Sequence, residues 1–121
     1  MEAETLIVAV TDGVAEIRLN RPHKKNAITH EMWLGLAAEL EALSDDPAVR
    51  AVVLCGAGGN FSAGADIGEF ATLRGADNAR DYEAANSAAF AAVRACRLPV
   101  IAAIRGICFG GGFGLPAAAD I

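Results

Sequence analysis

Apolar and polar positions along this chain fall into short runs of alternating period, and each run predicts an element. Leu6 to Val10 and Val14 to Leu19 are apolar, β-branched stretches parted by Thr11-Asp12-Gly13. Asp-Gly between two such runs predicts a hairpin. In the second run Val14, Glu16 and Arg18 alternate with Ala15, Ile17 and Leu19, the period of a strand with one face covered. Asn20 to Asn26 is a polar loop with Pro22 as its breaker. Thr29 suits the cap of a helix whose apolar positions Trp33, Leu36, Leu40 and Leu43 share one face. Ser44-Asp45-Asp46-Pro47 ends it. Val49 to Cys55 is apolar apart from Arg50, which predicts a strand covered on both faces. Gly56-Ala57-Gly58-Gly59-Asn60 reads as a flexible loop. Asp77 to Arg97 is Ala-rich and helical, with Phe90, Val93 and Arg97 along one stripe and Pro99 as its stop. Val100 to Ile104 is the next buried strand. Gly111 and Gly112 begin a last helix through Leu115, and Ala117 to Ile121 reads as a helix end running into a new strand.

That order predicts an α/β fold in one unit spanning residues 1–121. The 121 residues are 54% hydrophobic with a mean hydropathy of +0.35, enough for one modest core. The net charge of −5 argues against nucleic-acid binding, which needs clustered Lys and Arg. There is no basic segment ahead of an apolar N-terminal run and no apolar stretch long enough to cross a bilayer. Cys55, Cys96 and Cys108 show neither metal nor disulfide spacing and read as reduced thiols, so the expectation is a cytoplasmic protein without membrane contact.

The chemistry sits in two runs that each follow an apolar strand. One is Asn60-Phe61-Ser62-Ala63-Gly64-Ala65-Asp66-Ile67. The other is Gly106-Ile107-Cys108-Phe109-Gly110-Gly111-Gly112-Phe113-Gly114. Both are built from small residues that let a ligand touch bare backbone. Gly56-Ala57-Gly58-Gly59 alone lacks the spacing of a dinucleotide loop. Cys108 either lines a pocket or is a small buried hydrophobe, and nothing activates it as a nucleophile. His23 and His30 have no triad partner, and Trp33 reads as core.

Together with Asn20-Arg21-Pro22-His23-Lys24-Lys25-Asn26-Ala27-Ile28, the two runs resemble the crotonase (enoyl-CoA hydratase/isomerase) family, over nearly all of this chain but only the N-terminal half of that fold. The resemblance implies a crotonase-like spiral of ββα units. It implies an enzyme, an acyl-CoA lyase or isomerase of fatty acid metabolism, that stabilises a thioester enolate in an oxyanion hole. The implied catalytic groups are the N–H groups of Ala65 and Gly111. Lys25, Ala27, Ala63, Asp66 and Ile67 are the implied acyl-CoA contacts, and Lys24 or Lys25 could pair with a CoA phosphate. No cofactor beyond the coenzyme A of the substrate and no metal is implied, and the full-length assembly would be a homotrimer or hexamer. A chain that stopped at Ile121 would expose an apolar patch and a strand edge.

One departure stands out. Hydratases of this family carry a glutamate directly after the Gly-rich run and a second further along, for addition of water. Gly114 occupies the first position, and the second would fall beyond Ile121. Restoring a glutamate at 114 in a full-length form, with the rest of the site intact, is expected to raise crotonyl-CoA hydration. The Cys-Phe-Gly-Gly-Gly-Phe run also resembles hydroxycinnamoyl-CoA hydratase-lyases. The alternatives are a non-catalytic acyl-CoA binder, a structural paralogue or an inactive truncated segment.

Overall fold

The computed structural model describes residues 4–72 and 76–121. Strands β1 (Leu6–Thr11) and β2 (Val14–Leu19) form the hairpin, with Asp12 and Gly13 both at positive φ in its turn. β2 then pairs in parallel with β3 (Ala51–Gly56), and β3 with β4 (Val100–Ala102). The sheet order is β1-β2-β3-β4, so the chain climbs across the sheet with helices as crossovers. Helix α1 (His30–Ser44) starts at Thr29, whose hydroxyl accepts the Met32 N–H at 3.2 Å. α2 (Ile67–Thr72) follows the first small-residue run, α3 (Ala76–Ala95) is the longest helix, and α4 (Gly111–Ala118) closes the described chain.

The core lies between one sheet face and the helices. Ala15, Ile17 and Leu19 of β2 and Val52 and Leu54 of β3 point into it and are buried. They meet Trp33, Leu36, Leu40 and Leu43 of α1, the predicted stripe in full, and Tyr82, Ala85, Ala89, Ala92 and Val93 of α3. Alanines on α3 let it approach α1 closely. Trp33 closes the layer, its ring edge-on to Phe90 at 5.4 Å and its indole N–H donating to the Tyr82 hydroxyl at 3.2 Å.

Several expectations need correcting. β3 is covered on one face only: Ala51, Val53 and Cys55 share the other face with Glu16 and Arg18 and stay half-buried. β4 is three residues long, and Ile104 beyond it is 48% exposed. α3 ends at Ala95, so Arg97 falls off the helix stripe; its guanidinium instead donates to the Ser44 carbonyl at 2.9 Å. Gly56 to Asn60 is no loose loop. It completes β3 and folds into a tight 3-10 turn over Ala57–Gly59. Helix α2 has no signal in the periodicity, being shorter than two full turns. Among the described residues no strand follows α4, where one was expected from Ala117 to Ile121; the chain after Ala118 only lies along β4, with the Asp120 N–H bonding the Val100 carbonyl at 2.9 Å and the Ala102 N–H bonding the Ile121 carbonyl at 2.9 Å.

Candidate active site

The three segments singled out in the sequence come together at the C-terminal edge of the parallel strands. The run from Phe61 to Asp66 lies in the middle. On one side it pairs with Lys25 to Ile28: Ala63 N–H bonds the Lys25 carbonyl at 2.9 Å, Ile28 N–H the Gly64 carbonyl at 2.8 Å, and Asp66 N–H the Ile28 carbonyl at 3.0 Å. On the other it pairs with the second run: Ser62 N–H bonds the Ile107 carbonyl at 3.0 Å, and Phe109 N–H the Ser62 carbonyl at 3.0 Å.

Two buried polar side chains hold these segments in register. Asn26 is fully buried and sits at φ 57°, a conformation Asn tolerates better than most residues. Its amide nitrogen donates to the carbonyls of Ala57 and Asn60, each at 2.8 Å, and its oxygen accepts the Arg21 N–H at 2.8 Å. Ser62 is also fully buried; its hydroxyl donates to the Asn26 carbonyl at 2.8 Å and accepts the Gly64 N–H at 3.0 Å. The Asn60 side chain accepts the Ile107 N–H at 2.9 Å, and a Cβ on Gly106 would lie 2.4 Å from that same oxygen. Glycine is therefore required there for space as well as for its φ of 59°.

This pairing decides where the Ala65 N–H points. Ile28 bonds the residues either side of Ala65, Gly64 and Asp66, as in a parallel ladder. A residue bracketed in that way turns its own N–H and C=O to the opposite side. Among the described residues no acceptor takes the Ala65 N–H. Gly111 is the first residue of α4, behind a cap at Gly110 with φ 53°. An N–H in that position has no acceptor within its helix and carries the positive end of the helix dipole. The start of α4 is pressed onto the first run, because a Cβ on Gly112 would be 2.7 Å from the Ser62 Cβ and carbonyl oxygen. The ladder and this contact bring the two small-residue runs to one place.

The remaining candidates divide. Lys24 and Lys25 are exposed, Lys25 at φ 53°, its backbone tied to the first run through the Ala63 bond. Ala27 offers its carbonyl to the Arg21 guanidinium at 2.7 Å, and the same nitrogen pairs with Asp66 at 2.8 Å. Asp66 thus faces Arg21 and the start of α2, where its other oxygen accepts the Glu69 N–H at 3.1 Å. That backbone bond, then Arg21, holds its carboxyl below the usual carboxylate range. Ile67 is 84% exposed, and Phe109 and Phe113, flanking the glycines, are 64% and 60% exposed. Burial pushes the Cys108 thiol up, away from thiolate character, and its sulfur bonds the Gly112 carbonyl at 3.3 Å. His30 donates its backbone N–H to the Glu69 carboxylate at the start of α1. Among the described residues no three His, Cys, Asp or Glu side chains gather as metal ligands, and no helix is long and apolar enough to cross a membrane.

Gly114 is confined. A Cβ there would lie 2.5 Å from the tip of the Phe90 ring, which is itself wedged against Trp33. Periodicity marks Phe90 as a stripe residue but cannot say that it occupies the side-chain space of position 114. The Arg21–Asp66 pair and the Asn26 and Ser62 joints were equally invisible, since each partner is distant in the chain.

A family model described as enoyl-CoA hydratase/isomerase matches residues 9–121. A protein of Mycobacterium tuberculosis named "Probable enoyl-CoA hydratase" is 39% identical over 118 residues, covering 98% of this chain and 46% of that protein. Mouse mitochondrial Delta(3,5)-Delta(2,4)-dienoyl-CoA isomerase is 38% identical over 125 residues, covering 95% and 38%. The crystal structure of an enoyl-CoA hydratase/carnithine racemase from Magnetospirillum magneticum superposes with a TM-score of 0.92 at 43% identity, over 99% of this chain and 46% of that one. The chain thus spans a little under half the length of these relatives.

Proposed function

The chain belongs to the enoyl-CoA hydratase/isomerase family, and on that premise we propose that it forms the N-terminal part of an enzyme that transforms an acyl-CoA thioester by stabilising its enolate. The observation that carries the reading is the orientation of the Ala65 N–H, bracketed by the Ile28 ladder and turned away from it. With the Gly111 N–H at the positive end of α4 it makes a two-donor cradle for a thioester oxygen. Such donors act because they are aimed before charge develops, and each is worth about 3–4 kcal/mol of barrier. Glycine and alanine around them leave room for the thioester. Lys24 and Lys25 are exposed beside the first run, which supports a role for one of them in pairing with a CoA phosphate. Assembly as a homotrimer or hexamer, implied by the family resemblance, and a cytoplasmic location, read from the unpaired cysteines, belong to the same proposal.

A second reading has its own support. With Phe90 at Gly114, the described residues put no carboxylate in the place a hydratase uses, which favours a binder without turnover. Exchange of the α-protons of butanoyl-CoA in heavy water, followed by NMR, separates the two. The enzyme reading expects protein-dependent exchange that falls at least about tenfold in Ala65→Val, whose added methyl groups crowd the cradle. Binding without any exchange would leave a binder.

A further inference from the structure

We propose that Tyr82 is a positioning residue of this site: its hydroxyl fixes the Ile28 backbone from which the Ala65 N–H takes its aim. The assignment rests on the acyl-CoA reading above.

The direction of the Ala65 N–H is set by the bonds of its neighbours. A peptide unit is planar and trans, so the Ala65 N–H points opposite to the Gly64 carbonyl. That carbonyl accepts the Ile28 N–H at 2.8 Å. The next peptide unit is held on the same residue, with the Asp66 N–H on the Ile28 carbonyl at 3.0 Å. Both planes flanking Ala65 therefore hang on Ile28, and whatever displaces Ile28 turns the donor.

Ile28 is held in turn from α3. The Tyr82 hydroxyl donates to the Ile28 carbonyl at 3.2 Å, on the same oxygen that takes the Asp66 N–H. The hydroxyl itself accepts the Trp33 indole N–H at 3.2 Å, and Trp33 is fully buried. The tyrosine ring also rests against the His30 ring, with 5.7 Å between centres. A continuous run of hydrogen bonds thus ties the core at Trp33, through Tyr82 and Ile28, to Asp66. Burial pushes the Tyr82 phenol above its ordinary range, so the hydroxyl keeps its proton and remains a donor at neutral pH.

Packing alone does not call for that hydroxyl. Phenylalanine would fill the same space, and a buried hydroxyl is costly unless it is hydrogen-bonded. Here its proton goes to the one residue laddered to Ala65. A catalytic donor is useful only while it is held to within about 0.5 Å of its line, and that precision comes from bonds behind the first contact. Tyr82 is 4% exposed, so it acts through Ile28 and not on the substrate.

The test follows the thioester carbonyl of butanoyl-CoA, labelled there with 13C, by NMR, free and bound. It uses the full chain, Tyr82→Phe, and Leu40→Val, a core change about three turns along α1 from its cap. In the wild type the two donors should move the carbonyl resonance downfield, because hydrogen bonds to the oxygen draw charge from the carbon. Tyr82→Phe should keep less than about half of that displacement while Kd rises no more than about threefold, since the ground state gains little from the aim of one donor. Leu40→Val should keep the whole displacement. A full displacement in Tyr82→Phe, a loss of binding in its place, or an equal loss in Leu40→Val overturns the positioning role and leaves the acyl-CoA reading standing. Wild-type binding without displacement overturns the cradle together with the role, and failure of the wild type to bind overturns the acyl-CoA reading as well. Should Tyr82→Phe misfold, the wild type decides alone. Tyr82 is the lone tyrosine and coupling is reciprocal, so the ζ-carbon resonance of labelled tyrosine should move when butanoyl-CoA binds and stay in place with coenzyme A, which has no carbonyl. A resonance that ignores butanoyl-CoA, or answers both ligands alike, overturns the assignment.

Discussion

Removing the Asn26 amide should uncouple the site from the fold, and the size of the effect follows from the bonds it makes. Asn26→Ala strands three part-buried backbone groups: the Arg21 N–H and the carbonyls of Ala57 and Asn60. At about 1–3 kcal/mol for each unpaired group, eased by water entering the space vacated, the expected loss is about 3–5 kcal/mol. Asn26→Asp is the sharper probe. It keeps the acceptor for Arg21 but sets a carboxylate oxygen against two carbonyl oxygens. The charged form is disfavoured twice, by burial and by the lost donors, so the folded-state pKa of the introduced carboxyl rises above its unfolded value of about 3.9. A group with a raised folded pKa gives its full stability below the unfolded value and loses it as the pH climbs through the folded one. The deficit of Asn26→Asp relative to wild type should therefore widen from about pH 5 to about pH 8. Urea unfolding followed by fluorescence of Trp33, which is the lone tryptophan and fully buried, measures both. A loss below about 1 kcal/mol in Asn26→Ala, or a deficit in Asn26→Asp that shrinks as the pH is raised, would refute the reasoning.

Three further outcomes are expected. Gly114→Glu alone should destabilise by about 1–3 kcal/mol, since its Cβ meets the Phe90 ring, and should raise crotonyl-CoA hydration only when combined with Phe90→Ala; hydration rising in the single variant would show that Phe90 yields freely. Gly106→Ala should lose about 2–4 kcal/mol through positive φ and collision with the Asn60 oxygen and the Gly59 carbonyl, and a melting temperature within a degree or two of wild type would contradict the close approach. Asp66, whose carboxyl is depressed by the Glu69 N–H and Arg21, contributes stability that is complete above the ordinary carboxylate range and disappears as the pH falls through its folded value. Asp66→Asn should thus flatten the acid limb of the stability profile, with an unchanged limb counting against the pairing.

Local pattern carried a large part of this protein. The hairpin follows from Asp12-Gly13, the core face of α1 from the spacing of Trp33, Leu36, Leu40 and Leu43, and the buried side of β2 from alternation, because strand and helix periods are properties of neighbouring residues. The two small-residue runs were equally visible, since glycine at a close approach leaves its mark directly in the sequence. The likeness of these runs to a known family pointed to acyl-CoA chemistry before any contact was known.

Tertiary structure alone decided the rest. That Ala65 turns its N–H away from Ile28 depends on a ladder between residues far apart in the chain. That Asn26 and Ser62 are joints rather than loop residues depends on which carbonyls the fold brings within reach. That β3 is covered on one face only, and the extent of α2, were set by packing rather than propensity. Phe90 at Gly114 and the Tyr82 hydroxyl on Ile28 are the clearest cases. A sequence records that a side chain is large or polar. Only the packed chain determines whose space it fills and whether its hydrogen bonds are met.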